Sequence, residues 1–412
     1  MSGAPNERIA ALDFVRGVAV LGILAINVTG FWGPTLATFS PAIPCPDRAG
    51  SLWFIAAYVL FEGKMRGLFT LLFGASMVLF AQAAERRGAN PDFAQVRRLG
   101  WLMAFGYAHY ALLWWGDILL PYAICGLLAL ACRRLAPEPL AASAVLVFLV
   151  SHGLDLVGDL AFTQAEARVL AGQGSGAEMA EHAAMMGRIG ASITADLRIL
   201  HSGFLEAVRL RLTTEPLFPF ESLGATFFET FPLMLLGQSL MRLGLFTGEW
   251  EPAALRRIAR IGIGAGGAMS AGLIGWAALQ GFPPAAMFAV MGSFAAVPHL
   301  LMTMGYLAAL LLLWPRVAGT ATGQRLAAAG RCAFTNYLGT TLVMSALFAG
   351  WGLGLGMVLP RAALPLAVLF GWALMLAWPQ GWLARFGQGP LEALWRRLTW
   401  LRFPRRAADG GA

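Results

Sequence analysis

Long apolar runs of about twenty residues, separated by short polar stretches, recur along the whole chain. A helix needs roughly 20 apolar residues to cross the hydrocarbon core of a bilayer, which is about 30 Å thick. The pattern therefore predicts membrane-spanning helices rather than a soluble domain. The predicted spans are residues 9–30, 66–84, 99–115, 118–132, 140–158, 223–243, 258–280, 286–313, 331–350 and 361–379.

The stretch 51–84 is too long for one straight crossing, because at 1.5 Å per residue a helix of that length extends about 50 Å. Its middle, the sequence GKMRG at 63–67, is also polar. We expect 51–62 to form an interfacial or re-entrant segment that leads into the crossing. The predicted fold class is thus an all-α polytopic transmembrane bundle of about ten spans plus this segment.

Composition agrees with a membrane protein. Of the 412 residues, 58% are hydrophobic and 13% are charged, whereas soluble domains are about 25% charged. A soluble enzyme, a disordered chain and a disulfide scaffold are therefore excluded. The net charge of +8 in a soluble protein would suggest nucleic acid as a partner, but here the arginines follow the loops, so the predicted partner is the lipid bilayer and not nucleic acid.

The arginines also predict an orientation, because loops on the cytoplasmic side carry an excess of Lys and Arg. With ten spans, the basic loops and both termini fall on the same side. We expect that side to be the cytoplasm, and the protein to be a multi-pass protein of the bacterial inner membrane. The residues concerned are Arg86, Arg87, Arg97, Arg98, Arg133, Arg134, Arg242, Arg256, Arg257, Arg260, Arg316, Arg325, Arg385, Arg396, Arg397, Arg402, Arg405 and Arg406.

Four regions follow from this reading. Residues 1–158 form an N-terminal transmembrane half, 159–222 an extracytoplasmic helical loop, 223–384 a C-terminal transmembrane half and 385–412 a cytoplasmic basic tail. Within the loop, 176–212 has the pattern of amphipathic helix. A connection of this length usually forms a cap, a lid or a binding element.

The first span carries a polar stripe. At 100° per residue, Asp13, Arg16 and Asn27 fall within about 60° on one helix face. Ionisable groups in a span are costly unless they are paired or face water. One interpretation is an Asp13–Arg16 pair with Asn27 bonded to a neighbouring helix; the other places Arg16 near an anionic ligand that enters from the cytoplasm.

His109 is the candidate general base, since it lies in the outer half of the third span and about two turns from Asp117. A nearby carboxylate fixes the tautomer of an imidazole, which then accepts a proton from a substrate. The alternative is a structural histidine bonded to a neighbouring helix, with Asp117 capping the next one.

Other polar residues allow two readings. Lys64 and Arg66 either extend to the lipid headgroups or stabilise an oxyanion. His152, Asp155 and Asp159 share one helix face where a divalent metal would bind, although the spacing is loose; His299 follows Pro298, which favours a kink with a satisfied histidine. No phosphate-binding loop, zinc motif or dinucleotide fingerprint occurs in the sequence, so we expect neither a bound metal nor a tightly bound cofactor.

Several segments, in the same order, resemble the YeiB-like (DUF418) family of bacterial inner-membrane proteins. They are RIAALDFVRGVAVLGILAIN (8–27), GKMRGLFTLLFGASM (63–77), RRLGWLMAFGYAHYALLWWGDILLPYAICG (97–126), LMLLGQSLMRLGLF (233–246), AGRCAFTNYL (329–338) and GPLEALWRRLTW (389–400). The resemblance extends over nearly the whole chain.

The opening Asp-x-x-Arg-Gly helix is also similar to that of larger transmembrane acyltransferase families, which include enzymes that modify surface polysaccharides and the lysosomal heparan glucosamine acetyltransferase. These proteins pass an acyl group from cytosolic acyl-CoA to an acceptor across the membrane, using a membrane-embedded histidine. The resemblance implies acyl-CoA as co-substrate and an extracytoplasmic acceptor. One departure is that this chain has no histidine in or just after its first span, and His109 lies in a different helix.

On this hypothesis His109 and Asp117 are catalytic, and a larger set of residues binds substrate. That set is Asp13, Arg16, Asn27, Lys64, Arg66, Arg331 and Asn336. The hypothesis needs a water-accessible path through the bundle that joins Arg16 to His109.

Two other functions remain open. A transporter would suit ten spans with buried charges, but transporters often have interrupted spans at corresponding positions of two halves, and the sequence suggests only one interruption, at 63–67. A non-catalytic subunit of an envelope complex would use 159–222 as its docking surface. A homodimer is left open.

Overall fold

The computed structural model describes residues 5–401, with side chains from residue 10 onward. Arg402, Arg405 and Arg406 of the predicted tail lie outside the described residues. Within them the α-helices are α1 (Pro5–Trp32), α2 (Arg48–Leu60), α3 (Lys64–Glu85), α4 (Pro91–Leu112), α5 (Leu119–Ala131), α6 (Pro137–Leu170), α7 (Gly176–His201), α8 (Phe204–Thr214), α9 (Phe218–Arg242), α10 (Pro252–Leu279), α11 (Pro284–Met291), α12 (Ala296–Val317), α13 (Ala321–Arg331), α14 (Ala333–Phe348), α15 (Leu364–Ala377), α16 (Pro379–Phe386) and α17 (Pro390–Trp400).

The all-α prediction is confirmed, and no strand occurs between residues 5 and 401. Every predicted span overlaps one or more helices, whereas the number of crossings stays a prediction. Within the described residues, six helical stretches are long and apolar enough to cross a bilayer. These are Ala10–Trp32, Arg48–Glu85, Pro137–Leu170, Pro252–Leu279, Pro284–Val317 and Arg361–Phe386.

The two ends of the bundle differ in chemistry. At one end, Arg133 bonds Asp92 at 3.1 Å, and the Trp395 indole of α17 donates to the Arg98 carbonyl at 2.8 Å. We call this the basic end; it carries the α3–α4 and α5–α6 turns together with α16 and α17. The opposite end, covered by α7 and α8, is called the capped end.

The insertion at the capped end is helical, as predicted, but its boundaries differ. The fifth span was predicted to end at residue 158, yet α6 continues for 34 residues to Leu170, because nothing in 159–170 breaks a helix. The amphipathic segment is divided into α7 and α8, since Ser202 and Gly203 are extended. A capping box between Ser175 and Glu178 starts α7.

α1 is the central helix, and it crosses α13 at very close range. A Cβ atom at Gly330 would lie 1.8 Å from the Asp13 carbonyl oxygen, and one at Gly17 would lie 2.0 Å from that of Leu326. Only glycine permits this approach. The crossing brings Arg331, the residue after Gly330, beside the charged end of α1.

Two helices are interrupted, and their interruptions face each other. Between α2 and α3 the chain turns at Gly63, whose φ is +71°. Between α11 and α12 it passes through Gly292 and a short 3-10 turn at Ser293–Ala295. The Tyr58 hydroxyl donates to the Val290 carbonyl at 2.9 Å, which joins the two interruptions.

The expectation of a single interruption was therefore wrong, since 286–313 was read as one continuous span. The Ser293 hydroxyl donates to Asp159 of α6 at 2.5 Å. This tertiary bond holds the 3-10 turn, and local hydropathy does not reveal it.

Candidate functional site

A cavity of about 450 Å³ opens among α1, α3, α4, α13, α14 and α17 at the basic end. We call it the basic cavity. Its charged lining residues are Arg16, Arg87, Arg98, Arg331, Arg396 and Glu392. A second cavity of about 330 Å³ adjoins it and shares Arg16, Arg331, Glu392 and Arg396 with it.

The positive charge of the basic cavity is only partly neutralised. Arg16 pairs with Asp13 at 2.8 Å, as one interpretation of the first span predicted. Glu392 accepts bonds from the backbone N–H and the hydroxyl of Thr335 at 3.0 and 2.6 Å. Among the described residues, Arg331 donates only to the Gly387 carbonyl, at 2.8 Å. The cavity is therefore suited to an anionic ligand.

Arg98 is the most buried cation of this wall. Its guanidinium lies 4.5 Å from the Trp395 ring centre and 4.9 Å from that of Phe80, which is cation–π geometry. One of its terminal nitrogens, Nη1, is buried without a hydrogen-bond partner. Such an unpaired donor costs about 1–3 kcal/mol, and a bound anion would satisfy it.

The inner part of the basic cavity is apolar and aromatic, with walls formed by Phe69, Phe73, Phe334 and Leu119, and it reaches Tyr337 of α14. A ligand with an anionic head and an extended apolar part therefore fits, with the head among the arginines.

His109 and Asp117 form the predicted pair. The His109 Nδ1 atom lies 2.8 Å from Asp117 Oδ1, and both side chains are fully buried. The second oxygen of Asp117 accepts the backbone N–H of Leu120 at 2.8 Å, in the first turn of α5. One carboxylate thus bonds both the His109 ring and the first turn of α5, and the cap and the catalytic role weighed for Asp117 in the sequence are compatible.

A glycine permits this geometry. A Cβ atom at Gly106 would lie 2.4 Å from the Leu120 nitrogen and 2.7 Å from Asp117 Oδ2. α4 and α5 can therefore approach closely enough for the histidine of one to meet the aspartate that precedes the other.

The other ring nitrogen of His109, Nε2, is buried and has no hydrogen-bond partner. The Tyr337 ring lies 5.2 Å away, between ring centres, and its hydroxyl donates to the Gly116 carbonyl at 2.9 Å. Tyr337 also lines the basic cavity. Tyr337 thus packs close to the His109 ring and lines the basic cavity as well.

A third cavity, of about 110 Å³, lies at the capped end, and we call it the capped pocket. Trp114 and Trp115 line it together with Asp196, Arg211 and Glu215. Trp114 follows His109 by one helical turn, and its backbone N–H donates to the His109 carbonyl at 3.1 Å. The dyad therefore lies between two cavities, although His109 lines neither.

The expected continuous path from Arg16 to His109 is absent from the described residues. The basic cavity and the capped pocket are separate, and no residue lines both of them. Because His109 lines neither cavity, any reaction at His109 requires the side chains around it to move.

The acidic groups of the capped pocket lie outside the spans. Burial raises the pKa of Asp196, against the opposing effect of a hydrogen bond from the Thr35 backbone N–H. Burial and the negative charges of Asp196 and Glu221 raise the pKa of Glu215. Burial lowers the pKa of Arg211.

Lys64 and Arg66 do not extend to the headgroups. Lys64 is fully buried, and its ammonium donates to the Tyr58 carbonyl at 2.7 Å. Arg66 forms a two-pronged pair with Glu229, at 2.7 and 3.2 Å, and lies 3.6 Å from Glu62. The snorkelling interpretation is therefore wrong for Lys64, and Arg66 meets carboxylates of its own chain.

The two asparagines lie in different settings. Asn27 lines a void of about 10 Å³ beside Tyr337. Asn336 is buried and donates to the carbonyls of Ala329 and Met375 at 3.2 and 3.3 Å, while its oxygen accepts the Trp378 indole N–H at 2.9 Å. Each of its polar atoms thus already has a partner within the protein.

The remaining histidines do not form a metal site. The His152 Nδ1 atom faces the Phe148 carbonyl of its own helix at 2.8 Å, whereas Asp159 is bonded to Ser293. No group of three metal-ligating side chains occurs in the part of the chain that the structure describes. His299 packs against Gly63 with its Nε2 atom unpartnered, so it is not the satisfied histidine that the sequence suggested.

Sequence reasoning missed Tyr337, Glu62 and Glu229. Glu229 lies within the predicted span 223–243, so the cost of an ionisable group in a membrane was a usable signal for it. Tyr337 gave no such signal, because an aromatic residue in an apolar span is ordinary.

Comparison with known proteins gives a consistent assignment. The family described as "Protein of unknown function (DUF418)" matches residues 240–402. The chain is 31% identical to the "Uncharacterized protein YeiB" of Escherichia coli K12 over 95% of this chain and 96% of that protein. It is 30% identical to the "Uncharacterized protein YxaH" of Bacillus subtilis 168 over 96% of this chain and 95% of that protein.

A shorter similarity, 35% identity over 33% of this chain and 37% of the relative, links it to an "Uncharacterized 39.9 kDa protein in amylase 3'region" of Bacillus acidopullulyticus. No solved structure matches the chain.

Proposed function

The chain belongs to the YeiB-like DUF418 family of membrane proteins, and from this premise we propose that it is an acyltransferase. It passes an acyl group from acyl-CoA, bound at the basic end, to an acceptor that arrives at the capped end. The observation that carries the proposal is the buried His109–Asp117 pair, whose Nε2 atom is unpartnered and whose imidazole ring lies 5.2 Å, between ring centres, from Tyr337 of the arginine-lined cavity.

The donor site follows from charge and shape. Arg16, Arg98 and Arg331 attract the phosphates of CoA, since a guanidinium binds phosphate oxygens through two parallel hydrogen bonds. The pantetheine arm extends along the aromatic wall toward Tyr337. Movement of the Tyr337 ring, with loss of its bond to Gly116, admits the thioester to His109.

The dyad then acts as a general base. An ionised Asp117 accepts a hydrogen bond from the Nδ1–H group of His109, so that Nε2 carries the lone pair. His109 removes the proton of the acceptor hydroxyl or amine while that group attacks the thioester carbonyl. The new bond to the acyl carbon forms, the carbon–sulfur bond breaks, and the imidazolium returns its proton to the departing CoA sulfur.

Titration of the purified full-length protein in nanodiscs with acetyl-CoA and palmitoyl-CoA tests the donor site. We expect binding of at least one of them, and clear weakening by the substitution Arg98→Gln. Arg257→Gln, which removes one charge from the same end without changing the cavity lining, serves as the control. Failure of both compounds to bind at about millimolar concentration would refute the proposal.

Transfer is tested with radiolabelled acetyl-CoA and membranes that contain the protein. We expect label to enter envelope material, and His109→Ala to abolish this while leaving acetyl-CoA binding intact. His152→Ala is the matched control, because among the described residues His152 bonds only Ser151 and Phe148 of its own helix α6. Equal incorporation by His109→Ala would show that the dyad is not the base.

A transporter is the second candidate, and the facing interruptions of α2–α3 and α11–α12 favour it. Interrupted helices line substrate sites in many transporters, and buried Lys64 and Glu62 lie at one of these interruptions. This function predicts flux of a labelled metabolite into proteoliposomes, with cysteines placed at the two ends becoming accessible alternately. Accessibility that never changes, together with acyl transfer, would exclude it.

We also propose that the basic end faces the cytoplasm of a bacterial inner membrane. The excess of arginine in the turns at this end supports this orientation. The donor cavity then opens to the compartment that contains acyl-CoA.

A further inference from the structure

The capped pocket combines negative charge with aromatic faces. Asp196 of α7 and Glu215, just after α8, contribute carboxylates, and Trp114, Trp115 and Tyr110 contribute rings. The Thr35 backbone N–H donates to one Asp196 oxygen at 2.8 Å, and the Thr35 side chain also bonds this carboxylate. The Glu215 carboxylate has no hydrogen bond or ion pair with any described residue.

A serine provides an independent sign of a ligand. Ser345 of α14 is 5% exposed, lines this pocket, and its hydroxyl has no hydrogen-bond partner. Buried hydroxyls nearly always have a partner. A polar ligand in the pocket would supply the missing one.

The single cation that lines the capped pocket does not cancel the pocket's negative charge. Arg211 is 9% exposed and donates to the Ala111 carbonyl at 3.3 Å, so part of its guanidinium is turned to the backbone of α4. Two carboxylates then face one cation, and the excess charge is negative.

We infer that the capped pocket binds a small amino alcohol or aminosugar, holding its ammonium group between Asp196 and Glu215 and its hydroxyl at Ser345. Carboxylates bind ammonium through charge-assisted hydrogen bonds, and indole faces attract cations. The inference rests on the proposed function only in calling this ligand the acyl acceptor.

Binding to the full-length protein in nanodiscs, measured by calorimetry, tests this with ethanolamine and glucosamine. Their N-acetyl derivatives are the matched neutral ligands. We expect at least one free amine to bind. Its N-acetyl derivative should bind at least about tenfold more weakly, because a hydrogen bond to a charged group is lost. Equal or tighter binding of the neutral ligands would overturn the inference.

Variants locate the site. Asp196→Asn keeps an oxygen for the Thr35 bond but removes the charge, and we expect it to weaken amine binding by about tenfold. Glu181→Gln, which removes one negative charge elsewhere on α7, should leave affinity unchanged. Equal effects of the two substitutions would mean that the pocket does not hold the amine.

The inference and the proposed function fail separately. If acetyl-CoA binds but neither amine does, the amine site is wrong and acyl transfer stands. If the amines bind through Asp196 but no acyl-CoA binds, the amine site stands and the acyltransferase proposal is refuted.

Discussion

A buried polar atom without a partner is expensive, and at the scale of single residues this separates His109 from Asn336. All polar atoms of Asn336 are bonded within the protein, so the residue stabilises the contact between α14 and α15. His109 instead has one nitrogen fixed by Asp117 and the other unpartnered. A group prepared in this way is ready to accept a proton from a substrate.

The substitution Asp117→Asn tests this preparation. An amide can still accept the Leu120 N–H and keep the start of α5, but its NH₂ group would favour the wrong tautomer of His109. We expect the rate of acyl transfer to fall by about 10³–10⁴-fold, as when the orienting carboxylate of a catalytic triad is replaced. Single-turnover transfer from radiolabelled acetyl-CoA measures the rate.

Asp155→Asn, on the exposed face of α6, is the control and should leave the rate unchanged. Unaltered transfer by Asp117→Asn, with a normal thermal unfolding curve, would contradict the orienting role.

At the scale of helices, the sequence predicted which segments are helical better than where the helices end or how they bend. Hydropathy located the segment of every predicted span, and the polar sequence at 63–67 revealed the first interruption. The second is held by contacts from distant segments, such as Ser293 with Asp159 and Tyr58 with Val290. Helical periodicity suggested that Asp13 pairs with Arg16, whereas the Arg66–Glu229 pair joins residues far apart in sequence.

The close crossing of α1 and α13 gives a stability prediction. In Gly330→Ala the added methyl group would meet the Asp13 carbonyl, so the helices must separate. We expect destabilisation of about 1–3 kcal/mol, the usual range for overpacking, together with weaker acetyl-CoA binding because Arg16 and Arg331 shift. Thermal unfolding in detergent measures the first effect.

Gly339→Ala is the control, since nothing lies within 4 Å of the added atom. A melting temperature equal to that of the wild type in Gly330→Ala would show that the crossing tolerates a side chain.

The start of α7 gives a prediction for pH. The Arg168 guanidinium and the Ser175 backbone N–H and hydroxyl lower the pKa of Glu178 from 4.5 to about 2. The ionised carboxylate therefore stabilises this helix end fully above pH 4.5, and the contribution is lost as the pH falls from 4.5 toward 2. We expect amide protection in the first turn of α7 to decrease over this interval.

Hydrogen exchange, corrected for its intrinsic dependence on pH, gives the protection. In Glu178→Gln the first turn should be less protected at neutral pH and should change little over the same interval. A wild-type turn that is equally protected at pH 2 and pH 5 would contradict the assignment.

At the scale of the whole molecule, one cavity opens at each end, and the His109–Asp117 pair lies between them. The basic end holds cations beside aromatic walls, whereas the capped pocket holds carboxylates beside indoles. The two ends are thus suited to ligands of opposite charge. We expect this separation of a cationic and an anionic site where the two ends of the bundle face different compartments.

Orientation is tested by inserting alkaline phosphatase, which is active only outside the cytoplasm, into two exposed turns. We expect high activity after Gly172, between α6 and α7, and low activity after Gly88, between α3 and α4. The opposite pattern would place the arginine-lined cavity outside the cell and remove its access to acyl-CoA.

The short distance between Tyr337 and His109 also has an electrical consequence. Where aqueous cavities enter from both faces, the transmembrane voltage falls mainly across the thin layer between them, and a charge that crosses the full voltage gains about 2.3 kcal/mol per 100 mV. A proton that moves through the layer around His109 would feel most of this field. The turnover rate of the protein in an energised cell would then differ from its turnover rate in detergent. The Tyr337 ring would act as the insulator that prevents an ion leak.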